Sequence, residues 1–131
     1  MKTPIPRADP SMEHLPAEAI EQVAAYFQAL SEPTRLRILN LLREGERNVG
    51  EIAHACECTA ANVSRHLALL TKQGLVARES RGTSVYYRIA DESVYALCDL
   101  VCGNIARHIE RAAKGRQAFA RSVAKSRSPR T

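Results

Sequence analysis

Two short helical repeats joined by a tight turn, within residues 49–74, constrain the fold of this chain more than any other stretch. The first repeat is apolar at the spacing of one buried side of a helix, at Val49, Ile52, Ala53 and Cys56. The second opens with Thr59, whose hydroxyl can accept a hydrogen bond from the first turn of a helix, and stops at Gly74. Its buried side repeats at Val63, Leu67 and Leu70. Two helices joined this closely predict a helix-turn-helix.

The outer side of the second helix has the chemistry of a DNA-recognition helix. It combines small residues, which permit close approach, with donors that can reach phosphates and base edges. The sequence predicts DNA contacts from Thr59, Ala60, Asn62, Ser64, Arg65 and His66. Among these, we expect Arg65, with Asn62 and Ser64 beside it, to help set the sequence preference.

Residues 75–89 change from a helical period to the alternation of strands. Val85, Tyr87 and Ile89 alternate with Tyr86 and Arg88, and residues 75–79 are expected to pair with them across a turn at residues 81–84. This hairpin is a candidate wing. Arg81 and Thr83 are expected at its tip, where Arg81 is either a solvated turn residue or a contact to DNA phosphate or the minor groove.

Three further helices are expected around this motif. One begins at Pro16 and is apolar on one side as far as Leu30, and the next follows Ser31 as its cap. The core side of that second helix is expected at Leu36, Leu39 and Leu42, widened by Ile38 and Leu41. Residues 91–113 form the last helix, whose apolar side consists of Val94, Leu97, Cys98, Val101, Cys102, Ile105 and Ile109.

Residues 30–89 resemble the ArsR/SmtB family of small winged-helix transcriptional repressors. The motifs that carry the resemblance are EPTRLRIL at the start of one helix, VSRHL in the recognition helix, GLV after it, and the hairpin RGTSVYYRI. The resemblance implies a mainly α fold with a small β-hairpin, a winged helix-turn-helix. It also implies a homodimer formed by the first and last helices, which binds double-stranded operator DNA and needs no obligatory cofactor.

The distribution of charge agrees with a DNA-binding surface. The net charge of the chain is +5, but residues 59–89 carry five basic residues against one acid, and residues 114–131 carry six basic residues and no acid. The remainder of the chain is net acidic. Positive charge is therefore concentrated where a DNA backbone would lie and in a C-terminal segment, whose charge should add sequence-independent attraction for duplex DNA.

The chain is expected to contain one folded domain. Residues 1–15 hold three of the six prolines and are predicted to be a disordered N-terminal segment, residues 16–113 the winged helix-turn-helix domain with its dimerisation helices, and residues 114–131 a mobile basic tail. No apolar run approaches the ~20 residues of a membrane span, and the N-terminus lacks the features of a secretory signal. We expect a cytoplasmic protein without membrane contact, in which the cysteines are thiols rather than structural disulfides.

Neither familiar sensing site of the resembling family is retained. In the arsenic-sensing branch the motif ELCVCDL supplies thiolates, whereas the aligned stretch here is ERNVGEI, with Asn48 and Gly50 in place of those cysteines. In the zinc-sensing branch the last helix supplies an Asp, two His and a Glu. The matching residues here are Asp91, Ser93, Asn104 and Arg107, of which only Asp91 can serve.

Cys98 and Cys102 are the candidate effector site. Four residues apart on a helix, their Cα atoms lie about 6 Å apart and their side chains point the same way, which suits two thiolates on one soft ion. Trivalent arsenic or antimony is the leading effector, followed by cadmium or zinc and then by a persulfide or an oxidant. The alternative is that both residues only pack a tight helix interface. Cys56 and Cys58 are secondary candidates that more simply fill the core.

Other functions fit the sequence less well. The histidines fall in unrelated elements, and neither a glycine-rich phosphate loop nor a catalytic triad is present, so an enzyme is not expected. A thiol oxidoreductase using Cys98 and Cys102 is the alternative of a different class, although their C-x-x-x-C spacing differs from the C-x-x-C of redox folds. Within the repressor fold, a constitutive regulator without an effector and a thiol- or persulfide-sensing repressor stay open.

Overall fold

Five helices and three short strands make up the part of the chain that the computed structural model describes, residues 11–127. After a 3-10 turn at Met12–His14, the elements in chain order are α1 (Ala17–Leu30), α2 (Pro33–Leu42), β1 (Arg47–Asn48), α3 (Val49–Ala55), α4 (Ala60–Lys72), β2 (Val76–Arg81), β3 (Ser84–Ile89) and α5 (Ser93–Arg127). The chain divides into two compact units, one that ends at Asp91 and one that begins at Glu92.

The core of the first unit is built from the inner sides of α2, α3 and α4 together with the sheet. Its largest fully buried side chains are Ile38, Ile52, Val63, Leu67, Leu70 and Leu75. The buried sides predicted for α3 and α4 are thereby confirmed, although Val49 and Cys56 are only half-buried. Because both helices bury one side in the same core, the opposite side of α4 is held outward.

The inner side of α2 differs from the one expected. Ile38, Leu39 and Leu42 are buried, but Leu36 is 40% exposed, so the prediction of Leu36 as a core residue was wrong. Arg35 instead occupies the inward position one turn before Ile38 and Leu39, since residues three and four apart share a helix side. A partly buried arginine in this position requires hydrogen-bond partners.

The helix ends follow specific capping residues. Thr59 Oγ1 accepts a hydrogen bond from the N–H of Asn62 at 3.1 Å, and Gly74 adopts a φ of 74° after the last turn of α4, as predicted. The cap predicted for α2 was wrong. Glu32 rather than Ser31 accepts from the N–H of Arg35 at 2.9 Å, because Pro33 is the first helical residue and the cap immediately precedes it. Ser31 ends α1 by donating to the carbonyl of Gln28 at 2.7 Å.

The sheet is antiparallel, in the order β1–β3–β2. The predicted hairpin is confirmed, with Tyr87 buried on its inner face and a turn at Gly82, whose φ is 61°. Strand β2 is longer than expected, because it continues to Arg81, which pairs with Ser84. Strand β1 was not predicted, since its two residues are too few to show an alternating pattern; Arg47 pairs with Tyr87 and Asn48 with Tyr86.

The second unit is the single long helix α5, which spans 35 residues. Its predicted end at Ala113 was wrong, because the helix continues to Arg127 and residues 114–127 of the expected tail are helical. An ion pair between Oε1 of Glu110 and Nζ of Lys114, 3.2 Å apart, bridges the predicted boundary. The one glycine beyond it, Gly115, destabilises a helix by only ~1 kcal/mol relative to alanine, which is too little to end it.

The ends of the chain are described only in part. Of the N-terminal segment expected to be disordered, residues 1–10 lie outside the described residues, as do residues 128–131 of the expected tail. The division of the chain into a folded domain of residues 16–113 between a disordered and a mobile segment stays a prediction. None of the helices described between residues 11 and 127 is both long and apolar enough to cross a membrane.

Candidate nucleic-acid interface

The outer side of α4 carries an oriented polar pair. Val63, Leu67 and Leu70 are 0% exposed and fix the rotation of the helix, so that Ser64 and Arg65 point to solvent. Nη2 of Arg65 donates a short hydrogen bond to Oδ1 of Asn62, one turn earlier. This bond holds the guanidinium along the first two turns of the helix, where a recognition helix meets base edges.

Small residues surround this pair. Thr59 and Ala60 are exposed at the start of α4, and the exposed Ala61 and Ser64 add no bulk beside Arg65. The Thr59 hydroxyl already accepts the capping hydrogen bond but retains its own proton to donate. The N-terminal half of α4 can therefore approach another surface closely and present donors to it.

His66 does not belong to this outer surface, although the sequence analysis placed it there. Its side chain is 14% exposed, and its Nδ1 lies 3.2 Å from Nη1 of Arg35 and 3.9 Å from Oε2 of Glu32. Because Arg35 can only donate, this contact is a hydrogen bond when Nδ1 of His66 is unprotonated and accepts. The side of α4 that carries His66 faces α2 rather than solvent.

Arg35 connects α4 to the end of α1. Its Nε donates to the carbonyl of Ala29 at 2.6 Å and its Nη2 to the carbonyl of Gln28 at 3.1 Å, which also accepts from Ser31, so Arg35 binds carbonyls in the last turn of α1. Partial burial acts to raise the pKa of Glu32, but the hydrogen bond from Arg35 N–H and the charge that His66 carries when its ring is protonated outweigh it and lower that pKa. Three helices thus meet at one polar cluster, formed by Glu32, Arg35 and His66.

Arg81 is paired within the protein rather than isolated at the wing tip. Nη2 of its guanidinium donates to Oε2 of Glu46 at 2.9 Å and to Oε2 of Glu79 at 2.8 Å, and Nη1 donates to Oε1 of Glu46. The guanidinium carbon lies 4.9 Å from the ring centroid of Tyr86. The hydrogen bond from Arg81 lowers the pKa of Glu46, and the bonds to Glu46 and Glu79 raise the pKa of Arg81 further. Thr83 is exposed in the turn beside Gly82.

The four cysteines all lie among the described residues, and none of them is paired in a disulfide. Cys98 is half-buried and Cys102 exposed, on the same side of α5. Cys56 ends α3, and Sγ of Cys58 donates to its carbonyl at 3.2 Å. Burial and the nearby Cys58 raise the pKa of the Cys56 thiol, and the charge of Arg37 offsets this only in part. Within residues 11–127, no three His, Cys, Asp or Glu side chains are placed to hold a metal ion together.

A family model described as "Bacterial regulatory protein, arsR family" matches residues 32–78. The HTH-type transcriptional regulator KmtR of Mycobacterium tuberculosis is 35% identical to this chain, and the similarity covers 89% of this chain and 95% of KmtR. This chain belongs to the ArsR family. The matched residues contain α2, α3, α4 and the start of β2, which are the elements that build the interface described above.

Other proteins similar to this chain agree with this assignment. The HTH-type transcriptional regulator Rv0324 of M. tuberculosis is 44% identical over 65% of this chain, which spans only 38% of the length of Rv0324. The arsenic resistance transcriptional regulator ArsR1 of Pseudomonas putida is 42% identical over 50% of this chain and 52% of its own length. The solution structure of the homodimeric winged helix-turn-helix DNA-binding domain Mb0332 of Mycobacterium bovis matches with a TM-score of 0.65 and 38% identity, covering 77% of this chain and 95% of that domain.

This ArsR-family chain is accordingly a DNA-binding transcriptional regulator with a winged helix-turn-helix fold, and not an enzyme. The thiol oxidoreductase alternative is set aside by the same relatives. Sequence reasoning missed Glu32, Arg35 and Glu46. Arg35 could have been found only from its spacing of three and four residues from Ile38 and Leu39, which places it on the same inner side of α2. Nothing in the sequence pairs Glu46 with Arg81, because the two residues are 35 positions apart.

Proposed function

We propose that this chain represses transcription by binding a two-fold symmetric operator with α4 in the major groove. The observation that carries the proposal is the Asn62–Arg65 pair, held on the outer side of a helix whose inner side is fully buried. Arg65 would read base edges, with Asn62 and Ser64 beside it, while Thr59 and Thr83 would donate to phosphates and Ala60 would permit close approach.

The protein acts on this operator as a homodimer in the cytoplasm, with α1 and α5 forming the interface. Support comes from apolar side chains that α1 and α5 leave exposed, including Ile20 at 45%, Phe27 at 48%, Val101 at 47%, Ile105 at 53% and Ile109 at 59%. Exposed apolar surface of this kind, on each of the two helices, is typical of protein interfaces. A second copy of the chain would cover it, as expected from the homodimeric Mb0332 domain.

Cys98 and Cys102 form the proposed effector site, which takes As(III), Sb(III) or another soft metal ion. The two thiols share one side of α5 with Val101 and Ile105, the apolar residues assigned above to the interface. Thiolate ligation would draw both sulfurs away from that packing and shift α5. Because two recognition helices must match one turn of DNA, about 34 Å, a small shift at the interface lowers operator affinity. A coupling of ~1–3 kcal/mol suffices for a useful response.

Two other proposals keep the same fold and interface. In one, Cys98 and Cys102 respond to a persulfide or an oxidant instead of a metal ion. In the other, the regulator is constitutive and all four cysteines serve packing. ArsR1 is an arsenic resistance transcriptional regulator, which ranks a metalloid effector ahead of these two alternatives.

The deciding experiment is a titration of the operator-bound protein with arsenite, antimonite, cadmium, zinc and a persulfide donor, measured as release of a labelled operator. We expect release by arsenite or antimonite from the wild type and none from the Cys98→Ser, Cys102→Ser double variant. The matched control is Cys56→Ser, Cys58→Ser, which should respond as the wild type does. Full release from the first double variant would remove Cys98 and Cys102 from the mechanism, and no release by any compound would support the constitutive regulator.

A further inference from the structure

Four charged residues and one aromatic ring share the outer face of the sheet. Glu79 and Arg81 lie two residues apart on β2 and therefore point to the same face, and the register places Tyr86 opposite Glu79. Arg88 reaches this face from β3, with its Nη1 3.8 Å from Oε2 of Glu79. Glu46, which immediately precedes β1, completes the group.

Glu46 binds Arg81 in the geometry that a phosphate would use. Both terminal nitrogens of the guanidinium donate to the two oxygens of one carboxylate, which is the bidentate pairing that arginine also forms with phosphate. Glu79 takes a further N–H, and the ring of Tyr86 covers one face of the guanidinium. A DNA phosphate must therefore displace a carboxylate before it can take the same donors.

The charges of this face cancel. Glu46 and Glu79 carry two negative charges, and Arg81 and Arg88 two positive ones, so the face has no net charge despite the excess of basic residues in the 59–89 segment. Arg81 keeps 46% of its side chain exposed, and a salt bridge at such exposure is only weakly stabilising because water screens it. The pair is thus weak enough for a single substitution to open it.

We propose that Glu46 is an affinity-limiting residue, which holds Arg81 against the sheet and withholds its guanidinium from the DNA backbone. The inference rests on the duplex binding proposed above and is independent of any effector. Loss of the Glu46 charge leaves Arg81 with Glu79 alone and gives the face a net charge of +1. The wing then gains a phosphate contact that the wild type does not make.

Glu46→Gln tests this, with Glu44→Gln as its matched control. Glu44 is two residues away and pairs with Arg47 at 3.7 Å, so its substitution removes the same charge from the same loop without opening the Arg81 pair. Affinity for a random-sequence duplex is measured over a salt series for both variants. For Glu46→Gln we expect binding roughly twofold to fivefold tighter at low salt, and a log–log salt slope steeper by about one.

Arg81→Gln, alone and combined with Glu46→Gln, isolates the contribution of the guanidinium. The gain from Glu46→Gln should vanish in the Arg81→Gln background. Equal gains for Glu44→Gln and Glu46→Gln, or a gain that persists without Arg81, would overturn the proposal in favour of a general charge effect. Weaker binding by Glu46→Gln would also overturn it, because Glu46 would then position Arg81 for DNA. Failure of the wild type to bind any duplex would refute the proposed function itself.

Discussion

At the scale of single residues, the proposed base contact of Arg65 depends on the orientation of its side chain as well as on its charge. A long exposed arginine loses rotamer freedom when it binds a base, which costs up to ~2 kcal/mol for a fully mobile side chain. The hydrogen bond to Asn62 already restricts the rotamers of Arg65 in the free protein, so less side-chain entropy is lost when DNA is bound. Asn62 therefore acts through Arg65 as well as by any contact of its own.

We predict that Arg65→Ala lowers discrimination between the operator and a random duplex by ~1–3 kcal/mol, because a bidentate base contact is worth about that much. Equilibrium binding to both duplexes measures it. Arg78→Ala is the control, since Arg78 is an exposed arginine of β2. Its loss should weaken both complexes alike. If Arg65→Ala also weakens both complexes by the same factor, Arg65 contacts only phosphate.

A second prediction at this scale concerns acid. The pKa of Glu46 is lowered below its ordinary value of 4.5, chiefly by the hydrogen bond from Arg81. A carboxyl with a lowered pKa in the folded state stabilises the fold above its unfolded pKa, and this stabilisation is lost as the pH falls through the folded value. We therefore expect Glu46→Gln to reduce the decline in free energy of unfolding below about pH 4.5, relative to Glu44→Gln. Urea unfolding at a series of pH values measures this, and parallel declines would show that the pair adds nothing to stability.

At the scale of elements, helices were predicted best from the sequence where the apolar period and the capping residues indicate the same boundaries. Helices α3 and α4 were found because apolar spacing and end residues such as Thr59 and Gly74 point to the same boundaries. Leu36 was misplaced because periodicity counts only apolar residues, whereas the inner side of α2 includes Arg35. Likewise, Arg81 was expected at a tip because its carboxylate partner Glu46 is distant in sequence.

The end of α5 was misjudged for a related reason. Basic composition predicts solvation, but it does not prevent helix formation, and residues 114–127 contain several alanines and no proline. Lys114, Arg116, Arg121 and Lys125 are exposed along this part of the helix. The basic segment thus extends a rigid element by roughly 20 Å at 1.5 Å per residue.

We predict that truncation after Ala113 lowers affinity for all duplexes alike. It should also make the dependence of log affinity on log salt concentration shallower, because a complex with fewer phosphate contacts releases fewer counterions. Discrimination between operator and random duplex should barely change. A variant with Lys114, Arg116, Arg121 and Lys125 replaced by Gln is the control, as it removes charge but leaves the helix in place. Identical salt slopes for the full chain and both variants would show that this segment does not touch DNA.

At the scale of the whole molecule, one copy of the chain leaves too much apolar surface exposed. On one side of α5, Val101, Ile105 and Ile109 are 47–59% exposed, and α1 exposes Ile20 and Phe27. Apolar area contributes roughly 25 cal/mol per Å² when it is removed from water, so a second copy that covers these residues gains a substantial association energy. Binding to the proposed two-fold operator should then depend on dimerisation, because two half-sites require two recognition helices at a fixed spacing.

The proposed dimer can be tested with one substitution on each side of α5. Ile105→Glu places a charge in the apolar side, and we expect it to weaken dimerisation by about 3 kcal/mol or more, roughly a hundredfold in Kd, because burial leaves that charge without a partner. Leu100→Glu is the control, since Leu100 is 70% exposed on the other side of the helix, beside Asp99 and Arg107. Sedimentation equilibrium measures the dimer, and operator binding should fall with it for Ile105→Glu only. A dimer that survives Ile105→Glu but is lost in Leu100→Glu would move the interface to the opposite side of α5, and Cys98 and Cys102 would then lie outside it.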